Sequence, residues 1–180
     1  MHTIFLWFYC LPIADAVILI VLTTAIFLLL RNKFRDVRYW KAGIPFLLLC
    51  WITAILFCTL GQRADGGHLT NPVLMPFHSY YAVLQGGSQE LYRANFMNTA
   101  LFYPVGLLGC ELLPKGWKKL WKAALVICVF MMLSIGIEYI QYRFGLGLAE
   151  TDDVIHNTLG TLLGVLVCNI QLNWIKDSIA

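Results

Sequence analysis

The chain has 180 residues, of which 59 % are hydrophobic and only 13 % charged, with 13 Lys and Arg against 10 Asp and Glu for a net charge of +3. A soluble domain is about 45–50 % apolar and about 25 % charged, and a soluble chain of this length would leave much of the surplus apolar surface in water. The composition therefore excludes an ordinary water-soluble domain and makes the bilayer the expected solvent.

Five apolar segments follow one another at about 11–30, 42–60, 94–113, 123–142 and 154–174. Each holds about 20 residues, enough at a rise of about 1.5 Å per residue to cross a hydrocarbon core of about 30 Å. They predict one all-α domain over 1–180, a polytopic membrane helix bundle of about five transmembrane helices. Ala14–Asp15–Ala16 in the first segment has the form of a signal-peptide cleavage site. No basic residue precedes it, however, and the apolar run continues to Leu30, so a retained helix is expected.

Between the first two segments lie Arg31, Lys33, Arg35, Arg38 and Lys41, and between the third and fourth lie Lys115, Lys118, Lys119 and Lys122. The opposite side holds Arg63, Arg93 and Arg143. The positive-inside bias then places the N-terminus outside and the C-terminus inside. Orientation and anionic lipid headgroups account for the basic loops, so no nucleic-acid partner is expected. The connection at 62–92 is long and aromatic, with Pro72, Met75, Pro76, Phe77, Tyr80 and Tyr81. Aromatic residues favour the interface, so a short interfacial helix or re-entrant lid on the outer surface is expected there.

Counting along the helices brings four polar residues to one depth. Asp15, Asn98 and Glu138 each lie 16 residues from a cytoplasmic boundary and Asn157 lies 17, which is about 24 Å in each case. Glu138 and Gln141 share a face of the fourth helix, as Asp153 and Asn157 share a face of the fifth. The short connection between these helices makes them an antiparallel pair, so the two faces are expected to meet and shield the carboxylates from lipid. Arg93 and Arg143 are close enough in depth to be counter-ions, and Asp152 adjoins the cluster. Interhelical hydrogen bonding is the competing structural role for the amides, and N-capping or dipole stabilisation is the competitor for Asp153. Asp15 and His156 are not assigned to the cluster.

Gly160 and Gly164 form a GxxxG along the stripe of Asn157 and predict close helix packing. Pro104 and Gly106 predict a bend or a thin place in the third helix with a freed carbonyl. Cys10, Cys50, Cys58, Cys110, Cys128 and Cys168 form no CxxC pair and are expected to be small buried apolar residues. His68, His78 and His156 lack metal-ligand spacing, so no metal and no cofactor is expected. A GxSxG motif is also absent.

Several of these residues resemble the VanZ-like family. Asn98, Phe102, Pro104 and Gly106 are similar to its asparagine, phenylalanine, proline and glycine signature, and Glu138 and Gln141 to its glutamate and glutamine. Asp153, Asn157, Gly160 and Gly164 resemble its final block, and Asn71, Pro76 and Phe77 the segment before the third helix. His156 stands where the family commonly has an apolar residue. The likeness covers about 62–167 and implies a multi-pass protein of the bacterial cell membrane, associated with resistance to teicoplanin-type lipoglycopeptides, whose chemistry the resemblance leaves open.

Three functions remain in play. The first is a non-enzymatic factor whose outer-leaflet polar pocket, formed by Arg93, Asn98, Glu138, Gln141, Arg143, Asp152, Asp153 and Asn157, binds a membrane lipid, a cell-wall lipid precursor or the drug. The second is a membrane enzyme in which Glu138 and Asp153 form a catalytic acid/base pair. The third is a small lipid transporter, with a homodimer through Gly160 and Gly164 supplying more helices.

Overall fold

A computed structural model of the chain describes residues 13–34, 38–61, 71–87, 90–114 and 118–177. The Asp15 side chain, His68 and Cys10 lie outside the described residues. Among the described residues six helices follow in order: α1 (Ile13–Phe34), α2 (Arg38–Leu60), α3 (His78–Leu84), α4 (Glu90–Leu112), α5 (Lys119–Phe144) and α6 (Thr151–Asp177). Among the described residues the extended backbone amounts to one isolated bridge, between Val73 and Glu150. The protein is an all-helical membrane bundle.

The five apolar segments became the five long helices, each extended by a few polar or basic residues at its ends. Lys119 and Arg143 near the termini of α5 illustrate this: their stems can lie along apolar surface while the charged heads reach water. Four of the helices are long and apolar enough to cross a membrane, over Ala16–Phe34, Ala42–Leu60, Lys119–Phe144 and Thr151–Ile170. Their outer faces carry exposed Leu22, Leu29, Phe46, Leu49, Trp121, Met132 and Leu166, which belong against lipid. The fifth long helix, α4, is more polar, and its position explains why. Every residue from 102 to 110 is buried, and α4 contacts all five other helices, α6 most extensively. A helix enclosed on all sides need not satisfy lipid.

The α4–α6 contact is made by backbone. A Cβ on Gly106 would lie 2.1 Å from the carbonyl oxygen of Thr161, one on Gly160 2.1 Å from that of Thr99, and one on Gly164 2.2 Å from that of Tyr103. Thr99 with Gly160 and Tyr103 with Gly164 advance together, so α4 and α6 run parallel. At this separation glycine Cα–H groups face carbonyl oxygens, contacts worth about 0.5–1 kcal/mol each. The expected GxxxG packing is therefore present and lies within one chain, with Gly106 as its reciprocal element. Gly109 does the same service toward α5, where Val126 and Phe130 fill the space its missing side chain leaves.

Pro104 sits inside α4 and removes the N–H that would bond the Ala100 carbonyl. In the same turn the Leu101 carbonyl accepts a hydrogen bond from the Trp51 indole at 2.8 Å, so α2 is fastened where the proline loosens the ladder. Buried Phe102, Tyr103, Val105 and Leu107 of α4 join Phe27, Ile44, Ile55, Phe130 and Val165 in the apolar core. Of the cysteines, Cys110 and Cys168 are buried as expected, whereas Cys50 and Cys128 are exposed on the apolar outer surface. All five described are free thiols.

At one end of the bundle, Arg31 of α1 and Glu111 of α4 form a 3.0 Å ion pair, with side chains 1 % and 8 % exposed. Lys122 is buried beside this end and donates to the Leu113 carbonyl at 3.1 Å. No sequence pattern pointed to this pair.

Two outcomes follow. Gly160→Ala or Gly106→Ala should lower thermal stability in detergent by about 1–3 kcal/mol through overpacking, whereas Gly136→Ala, with open space around its Cβ position, should be neutral or slightly stabilising. Glu111→Gln should destabilise by about 3–5 kcal/mol, because the buried Arg31 guanidinium would lose the carboxylate it faces at 3.0 Å; a melting curve matching that of the parent chain would contradict this.

Candidate functional site

The other end of the bundle carries the connection between α5 and α6 and the segment at 71–87. Helix α5 stops at Gly145, whose φ of 63° is the left-handed turn a glycine adopts freely. The Leu146 N–H then bonds back to the Gln141 carbonyl at 2.9 Å. This closure reverses the chain within a few residues and sets the first turn of α6 beside the last turns of α5.

Ser134, Glu138 and Gln141 recur at i, i+4 and i+7 on α5 and are all buried, forming one polar stripe. The Asn157 amide of α6 donates to Ser134 Oγ at 2.8 Å. The Glu150 N–H donates to Glu138 Oε2 at 3.0 Å, and the Gln141 amide donates to the Thr59 carbonyl of α2 at 3.0 Å. On the α4 side, the Asn98 amide donates to Asp153 Oδ1 at 2.8 Å. Side chains of α4, α5 and α6 therefore form a polar cluster at this end, reached from α2 through Thr59. The amide oxygens of Gln141 and Asn157 are buried with no hydrogen-bond partner among the described residues.

A second set of bonds fastens the 71–87 segment over this end. The Val73 N–H donates to the Ala149 carbonyl at 2.9 Å, and the Thr151 N–H donates to the Val73 carbonyl at 3.0 Å. The Asp152 carboxylate, 2 % exposed, accepts the backbone N–H groups of Phe77 and Ser79 and the Ser79 hydroxyl. Asn95 of α4 donates to Ser79 Oγ at 2.8 Å. Phe77 precedes α3 in a left-handed conformation, φ 61°, which turns these N–H groups toward one carboxylate. Asp152 thus supplies from α6 the negative charge that stabilises the start of α3.

His156 completes the fastening. Its Nδ1 is 2.6 Å from the Asp152 carbonyl, which can only accept, so Nδ1 carries the proton. In the neutral ring Nε2 then accepts the Tyr80 hydroxyl at 2.8 Å, and the two rings stack with centroids 5.7 Å apart. The segment at 71–87 thus carries a short helix, α3, docked on the first turn of α6.

Of the residues singled out in the sequence, Asn98, Glu138, Gln141, Asp153 and Asn157 share this end of the bundle. Asp152 is there as well, holding the loop. Arg93 and Arg143 are exposed. Pro104, Gly106, Gly160 and Gly164 serve the α4–α6 contact. Sequence reasoning missed Ser134, which a four-residue spacing from Glu138 could have found, and Ser79 and Asn95, for which no periodic signal exists. Among the described residues no group of three or more His, Cys, Asp and Glu has metal-binding geometry. A surface groove of about 500 Å³ lies at the opposite end of α5 between Lys118, Trp121 and Cys128, away from the cluster.

Asp152→Asn removes the charge that two loop N–H groups share, and hydrogen bonds to charged groups contribute about 1.5–3 kcal/mol. Hydrogen exchange at the Phe77 and Ser79 amides should accelerate by roughly tenfold to a hundredfold on that basis, while Asp153→Asn leaves both amides protected. Unchanged protection in Asp152→Asn would mean that the bridge at Val73 suffices to hold the loop.

Comparison with curated proteins and with solved structures returns no match. A family model described as VanZ/LLP1 matches residues 44–172, a stretch that contains the docked loop, the polar cluster and the glycine contact. A match over that much of its length establishes that this multi-pass membrane chain belongs to the VanZ/LLP1 family.

Proposed function

We propose that the protein is a non-enzymatic factor of the bacterial cell membrane that protects against teicoplanin-type lipoglycopeptides. In this reading the polar cluster beneath the docked loop is a recess in the outer leaflet that takes the headgroup of a membrane lipid, of a cell-wall lipid precursor or of the drug itself. The basic residues flanking the opposite end of the bundle, Arg31, Lys118, Lys119 and Lys122 among them, support placing that end in the cytoplasm and the cluster outside.

The carrying observation is the convergence of Asn98, Glu138, Asp153 and Asn157 from three helices under a loop fastened by Asp152. Polar and ionisable groups within membrane helices are costly, at about 2.5–3.5 kcal/mol for a carboxylate on insertion scales. A packing role alone could be met by apolar residues without that cost.

Expression in a susceptible bacterium should raise the inhibitory concentration of a lipoglycopeptide, and Glu138→Gln and Asp153→Asn should return it to the level of cells without the protein while folded yield is retained. Full protection by both variants would sink the reading. Lipid and precursor mass spectra that change on expression would instead favour a membrane enzyme using Glu138 and Asp153 as acid and base.

A further inference from the structure

The segment at 71–87 has two unlike faces. The inner one is polar and engaged: the Phe77 and Ser79 N–H groups and the Ser79 hydroxyl go to Asp152, and the Tyr80 hydroxyl goes to His156. The outer one is apolar. Tyr81 and Leu84, three apart, share one side of α3, and Leu74, Met75 and Phe77 stand ahead of it, each of the five more than half exposed. A contiguous apolar patch of this kind marks contact with a membrane or with another protein.

Three observations favour the membrane. From 71 to 87 the chain has no Asp, Glu, Lys or Arg, where a stretch of that length at the usual charged share of a soluble domain would hold about four. Lipid cannot satisfy backbone polar groups, and this segment pairs them within the protein at both ends. The Val73 N–H and carbonyl bond to the α5–α6 connection, and the N–H groups of Gln85, Gly86 and Gly87 close on the carbonyls of Tyr81, Val83 and Ala82. The connection that the segment bridges carries exposed Phe144 and Leu148, and α5 before it carries exposed Tyr139 and Tyr142. Apolar and aromatic exposure therefore continues from the end of a spanning helix onto the loop, in the manner of an interfacial aromatic belt.

We propose that the outer face of this segment, from Leu74 to Leu84, contacts the acyl chains of its leaflet, so that the loop is embedded in the membrane interface and does not stand in water as a cover. The polar inner face and the apolar outer face are those of an interfacial helix, buried on one side in the boundary between headgroups and chains. The inference holds whatever the polar cluster binds.

The chain carries matched reporters for this. Met75 on the loop and Met132 on the outer face of α5 are 51 % and 62 % exposed. The protein is placed in lipid nanodiscs, where both membrane faces meet the reagent, and treated with chloramine-T, a water-soluble oxidant that converts methionine to its sulfoxide. Peptide mass spectrometry reads each site. Both methionines should react at least about tenfold more slowly than a short methionine peptide in the same solution, the factor for withdrawing one apolar side chain from water. In parallel, photolysis of a phosphatidylcholine with a diazirine on its acyl chain should add lipid mass to the 71–87 segment as it does around Met132. Oxidation of Met75 at the rate of the free peptide, with Met132 protected, overturns the proposal and returns the loop to water. A protected Met75 with no lipid adduct on 71–87, while the Met132 region is labelled, also overturns it and gives the face to a second copy or another protein.

Discussion

Backbone-to-backbone contact between α4 and α6 is the constraint on which the rest of the molecule depends. In lipid there is no hydrophobic drive to push helices together, so association relies on close packing and on polar contacts between helices. Gly106, Gly160 and Gly164 remove the side chains that would hold α4 and α6 apart. With α6 seated, its first turn sets the position of Asp152, Asp153, His156 and Asn157 together. Asp153 then meets Asn98, one residue before the Thr99 carbonyl that faces Gly160, and Asp152 meets the loop. The polar end of the bundle is thus registered by the glycine contact below it.

The same contact explains the division of labour between two adjacent aspartates. Successive helical residues point about 100° apart, so Asp152 and Asp153 cannot serve one neighbour. Asp152 turns to the loop and its N–H groups, and Asp153 to α4. His156, four residues after Asp152, stands on the loop side, and Asn157, four after Asp153, faces Ser134 of α5. One turn of α6 therefore serves the loop, α4 and α5 at once.

Much of the scaffold was legible in the sequence. Apolar runs of about 20 residues located all five long helices, because bilayer thickness imposes that length whatever the tertiary contacts. Helix α4 differs from the other spans in that residues 102–110 are buried against protein, a distinction that run length does not carry. Depth counting put Asn98, Glu138 and Asn157 toward one end of the bundle because rise per residue is constant along a helix, although Asn157 pairs with Ser134, one turn from Glu138. It could not assign partners. The adjacent aspartates were ranked by their spacing to Asn157, yet the more deeply buried of them serves Phe77 and Ser79, some 75 positions earlier in the chain. Bonds of that range depend on where a non-periodic loop returns, and composition holds no record of it. The Arg31–Glu111 pair escaped notice for a related reason: each residue borders an apolar run and reads alone as a marker of orientation.

Helix α1 lies outside the stretch that matches the family, which begins at residue 44, yet it is tied to the central helix at two heights. Thr24 hydrogen-bonds the Tyr103 hydroxyl, and Arg31 neutralises Glu111. A protein trimmed to the shared stretch would leave the Glu111 carboxylate without the guanidinium that faces it at 3.0 Å. The leading helix thus behaves as a built-in chaperone for α4, supplying the cation that lets a carboxylate-bearing segment settle at the centre of the bundle.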